Sequence, residues 1–119
     1  MTEFPAFLRH PANAVAVDPN HASAGLEGFV FDGANGSQIV LWQCPKGGTS
    51  PEHVHDFDEY AIVAQGTFRG SAGGAKVSLG PGEECYIPAG VPHEGSYSVG
   101  YRAIDGFGGQ RVKRAGGRR

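Results

Sequence analysis

The sequence predicts an all-β fold, two facing antiparallel sheets rolled into a jelly-roll barrel. Twenty glycines and eight prolines cut a chain of 119 residues into many short apolar runs, the pattern of strands separated by turns. No segment sustains the 3.6-residue apolar period of an amphipathic helix, so helices should be rare and short. The number of runs suits two sheets closed on each other.

In chain order, strands are expected over residues 14–17, 27–31, 38–44, 60–65, 67–71, 75–79, 84–87 and 97–105. Gly73-Gly74 separates two of them as a tight hairpin turn, because glycine accepts the positive φ such turns need. Pro81-Gly82 and Pro88-Ala89-Gly90 mark further corners. Within 38–44, parity alone leaves open whether Trp42 or Gln43 faces inward. Near the C-terminus, Tyr101, Ala103, Asp105 and Phe107 share one parity, and Arg102 and Ile104 take the other. If that first set faces the barrel lumen, a carboxylate lies inside it beside an aromatic ring.

A chain of this length builds one core and not two. Residues 1–110 are expected to form that single domain with an N-terminal strand extension, and 111–119 a basic Gly/Arg tail that frays. The tail, with Arg111, Lys113, Arg114, Arg118 and Arg119, holds five of the ten basic residues, leaving five against twelve acidic ones before it. It is short and has no aromatics for stacking bases, so nucleic acid is not the expected partner. No run of about 18 apolar residues suggests a membrane span. The stretch from Met1 to His10 lacks the basic start and long apolar core of a secretory signal. Cys44 and Cys85 make no disulfide framework and read as buried, reduced thiols. A cytoplasmic protein is the expectation.

The chemistry concentrates between Gly47 and His93. Gly47, His53, His55, Glu59 and Gly66 form one cluster; Gly82, Pro88, Gly90 and His93 form a second. Neutral imidazoles and a carboxylate suit first-row divalent ions such as Fe, Mn, Ni or Zn. A strand puts residues two apart on one face, so His53 and His55 can point to one centre, and His93 must arrive from another strand. All nine positions, with their spacings, resemble the two signature motifs of the cupin family. That resemblance implies a jelly-roll barrel and one divalent metal per chain held by His53, His55, Glu59 and His93. Tyr97 stands where many cupins carry Asn. The fifteen residues between Gly66 and Gly82 leave room for one bare hairpin, as in a minimal single-domain cupin.

The order Asp105, Phe107, Arg111 resembles small cupins that open the ring of unsaturated uronates released from pectin and alginate. This implies functional roles for Asp105 and Arg111 close to the metal. The chain departs from that group at Glu59, where those cupins place Gln one position later, and at Gly108-Gly109, where they carry Pro. Three function classes follow. The first is a metal-dependent isomerase or lyase acting on a small oxygen-rich molecule such as a sugar acid, with Asp105 moving a proton and Arg111 pairing with a substrate carboxylate. The second is an Fe(II)-dependent dioxygenase, and the third a non-catalytic metal-containing ligand-binding or sensor domain. A homodimer is expected, because an open sheet edge invites pairing and small cupins are usually dimers.

Overall fold

The computed structural model describes residues 3–18 and 22–116. Nine strands follow in order: β1 (Glu27–Asp32), β2 (Gln38–Cys44), β3 (Gly48–His53), β4 (Glu59–Gln65), β5 (Phe68–Ala72), β6 (Ala75–Leu79), β7 (Glu84–Ile87), β8 (His93–Tyr97) and β9 (Tyr101–Phe107). They form a five-stranded sheet in the order β1-β2-β9-β4-β7 and a four-stranded sheet in the order β3-β8-β5-β6. All pairings are antiparallel. Two short 3-10 turns, Ala6–Leu8 and Pro11–Asn13, precede β1. Among the described residues no helix is long and apolar enough to cross a membrane.

The two sheets enclose the core at both ends of the barrel. Val15, Val30, Val40 and Phe107 form one buried cluster, and Val63, Tyr101 and Ala103 the other. Between the two clusters the central strand β9 carries Asp105 on the same inward face. The open parity of β2 resolves through β1. Gly28 pairs with Trp42 across the ladder, and a Cβ on Gly28 would lie 2.6 Å from the indole. The missing side chain therefore lets the indole lie over β1 on the lumen side. Gln43 takes the outer face, where it is buried because the N-terminal segment covers it. Its Oε1 accepts from the Phe4 N–H at 3.0 Å and its Nε2 donates to Glu27 at 2.9 Å. The Arg102 guanidinium sits 4.9 Å from the Phe4 ring centre.

Several elements differ from the sequence expectation. Residues 14–17 form no strand and make only single bridges, Ala14 to Phe29 and Val15 to Arg114. The stretch 97–105 is two strands, because the chain turns at Ser98–Gly100 and Gly100 takes φ +77°. Strand β3 escaped the apolar pattern because it contains no apolar side chain apart from Pro51. The hairpin at Gly73-Gly74 is as expected: Ala72 pairs with Ala75, and both glycines have positive φ, +57° and +84°.

The C-terminal segment is a correction. Residues 111–115 are docked rather than frayed, while 117–119 lie outside the described residues. The buried Gln38 accepts the Arg111 and Val112 N–H groups on its Oε1 at 2.8 and 3.0 Å and donates to the Val112 carbonyl at 3.1 Å. Lys113 accepts from the Ala16 N–H, and Ala115 donates to the Ala14 carbonyl. Arg114 binds Asp32, the Asn13 side chain, and the Ala12 and Val30 carbonyls. Backbone polar groups near a buried surface must find partners, and here the two terminal segments supply them for each other.

Candidate metal centre

Four elements deliver the cluster. His53 ends β3, His93 begins β8 and pairs with it across the ladder, and Glu59 begins β4. His55 does not share a strand with His53; it lies in the loop before β4, so the shared-face argument from parity does not apply to it. The loop still brings it in, because Phe57 stacks on its ring at 4.5 Å and 9°. One potential ligand atom from each of the four residues lies within 4.8 Å of the others. The His55 Nε2 is 3.1 Å and the His93 Nε2 is 3.3 Å from Glu59 Oε1.

The hydrogen bonds behind the rings decide what the cluster can hold. His53 Nδ1 contacts the Pro51 carbonyl at 2.8 Å, His55 Nδ1 the Phe57 carbonyl at 3.1 Å, and His93 Nδ1 the Val91 carbonyl at 2.9 Å. A carbonyl only accepts, so each Nδ1 carries a proton. His55 Nε2 shares a hydrogen bond with Glu59 Oε1, and a metal ion would take the place of the proton between them, so that three imidazole nitrogens and a carboxylate converge on one point. His93 Nε2 is buried and its contact with Glu59 lacks hydrogen-bond geometry, leaving it without a partner. Burial holds the His53 imidazole below its usual pKa, which keeps it neutral and ready to ligate. This donor set fits a divalent first-row cation.

Asp105 faces the lumen beside this cluster. In register it lies between Val40 of β2 and Ala61 of β4. Its carboxyl lies close to the Trp42 indole and to Glu59, and its Oδ1 is buried without a partner. Burial first, then the Glu59 charge, pushes its carboxyl well above the usual range, with Arg111 pulling the other way. The same enclosure raises the Tyr101 hydroxyl, with Asp105 the next cause. Arg111 stands at the mouth, its charge felt by both His53 and Asp105. No described residue forms a hydrogen bond or ion pair with its guanidinium.

His53, Glu59, His93, Tyr101, Asp105 and Arg111 line one cavity of about 490 Å³, closed on one side by the terminal segments that include Val15, Val17 and Val112. The sequence reading placed His53, His55, Glu59, His93, Asp105 and Arg111 near one another, and the fold brings them together. It missed Phe57, which sits in a loop with no periodic signal, and Gln38, whose only hint was a polar residue opening an apolar run. Trp42 was visible but its direction was not.

Residues 40–97 match the family model described as a cupin domain, and the barrel around them has the cupin fold. Among solved structures, KdgF from Halomonas sp. is 23% identical with a TM-score of 0.67, over 79% of this chain and 83% of that one. An RmlC-like cupin from Shewanella frigidimarina is 24% identical with a TM-score of 0.65, over 71% of this chain and 77% of that one. An oxalate decarboxylase from Bacillus subtilis, studied for its Mn(II) centres, is 18% identical with a TM-score of 0.62, over 73% of this chain and 26% of that one. No curated protein sequence matches the chain.

Proposed function

We propose that the protein is a metal-dependent isomerase or lyase that moves a proton on a small carboxylate-bearing molecule. The observation that carries this reading is the position of Asp105: inside the lumen, beside the ligand candidate Glu59 and within the field of an unpaired Arg111. A carboxyl raised by burial holds its proton more tightly than a free one and serves as a general acid, then as a base. Arg111 binds a substrate carboxylate through its planar fork, which orients the neighbouring carbon toward Asp105. A divalent ion held by His53, His55, Glu59 and His93 supplies Lewis acidity toward a substrate oxygen. Among the features of sugar acids and other oxygen-rich molecules, the carboxylate is the one this arrangement supports.

Deuterium wash-in tests the proposal. The metal-loaded protein, incubated in D2O with a panel of small hydroxy acids, keto acids and uronates, should exchange a C–H of at least one member. Asp105→Asn should keep the metal while that exchange falls by about 10²–10⁴. Unchanged exchange in the variant would overturn the role of Asp105.

The mostly apolar wall of the cavity favours a second reading, an Fe(II)-dependent dioxygenase. Oxygen uptake by the Fe(II)-loaded protein with a small apolar acid, unaffected by Asp105→Asn, would support it over the first. The homodimer expected from the exposed sheet edges belongs to the proposal as well. Analytical ultracentrifugation that finds only monomer at micromolar concentration contradicts it.

A further inference from the structure

We infer that the substrate is a small carboxylate with an apolar, aromatic-sized body rather than a polyhydroxylated acid. The inference rests on the reading above, which gives Arg111 the carboxylate. The cavity of about 490 Å³ has the volume of an ordinary small-molecule site. Around the metal cluster, Asp105 and Arg111, its wall is made by Val15, Val17, Leu26, Trp42, Phe68 and Val112.

Some polar groups on that wall are engaged already. The Tyr97 hydroxyl donates to Ser23 Oγ at 3.1 Å, and Glu94 accepts from Ser71 at 2.8 Å. Asp18, Thr49 and Lys113 are exposed, Ser50 is half-buried and Tyr101 is buried, so most of the remaining polar lining sits at the mouth, too little for a ring of hydroxyls inside. Each hydroxyl buried without a partner weakens binding by about tenfold or more, whereas an apolar body gains from leaving water. The apolar wall is also preformed. Val15 and Val17 come from the N-terminal segment and Val112 from the C-terminal one, and the bonds of Gln38 and Arg114 hold the two segments together. Little ordering is left for the ligand to impose.

Calorimetry on the Zn(II)-loaded full-length chain, titrated with phenylacetate and with glucuronate, tests this. Phenylacetate should bind at least tenfold more tightly. Val17→Thr keeps the shape of the wall and adds a hydroxyl, so it should narrow that gap without unfolding the protein. Arg111→Gln should weaken both probes. Glucuronate binding as tightly as phenylacetate, in an Arg111-dependent way, overturns the apolar substrate class and leaves the reading of the site standing. Binding of neither probe, or binding of both that Arg111→Gln leaves untouched, overturns both.

Discussion

At the scale of single residues, the metal centre depends on backbone carbonyls as much as on its ligands. Pro51, Phe57 and Val91 each offer a carbonyl to the Nδ1 of one histidine, so all three rings turn Nε2 inward. Because imidazoles must be neutral to ligate, metal affinity should fall as pH drops through the histidine range. The burial that lowers the His53 pKa keeps that ligand available further into acid than a free imidazole would be. Metal retained after dialysis at a series of pH values checks this, and retention unchanged well below that range contradicts it. Trp42 carries a different load, filling the space that Gly28 leaves beside the core. Trp42→Ala removes that packing and should cost about 3–5 kcal/mol in urea unfolding, with metal content unchanged.

At the scale of elements, legibility followed side-chain chemistry. The turn at Gly73-Gly74 could be read because only its backbone freedom mattered, and glycine advertises that freedom. Inserting two or three residues there should leave folding and metal binding intact, as judged by circular dichroism and metal content. Strand β3 could not be read, since Gly48–His53 shows no apolar alternation; its partner β8 and the metal cluster hold it in place. The four ligand candidates were nevertheless legible from their spacing, even though the strand geometry first invoked for His55 is absent. The docking of 111–115 was hidden because it depends on a buried Gln38 more than seventy residues away. Hydrogen bonding from Gln38, then Arg114, holds the Asp32 carboxyl below its usual pKa. Its stabilisation is therefore complete above about pH 4 and lost as pH falls through the depressed value. Asp32→Asn should unfold more easily than the natural chain at neutral pH, and the gap should close in acid; a gap that persists there contradicts the role of the pair.

At the scale of the whole molecule, the barrel brings four candidate ligands from three strands and a loop around one point. Gly28 shows how tightly that frame is packed. A Cβ there would lie 2.6 Å from the indole of Trp42, so Gly28→Val should destabilise the chain by about 1–3 kcal/mol and displace the wall behind Asp105. A bound ion favours the folded chain over the unfolded one, so loading metal should raise the melting temperature with its concentration.

The central claim is that His53, His55, Glu59 and His93 together form a metal site, and metal content per chain tests it most directly. Elemental analysis of the natural chain, loaded with a divalent first-row ion and desalted, should give one ion per chain. His55→Ala and His93→Ala, folded by circular dichroism, should lose most of it. Full occupancy in either variant, or none in the natural chain, would contradict the account.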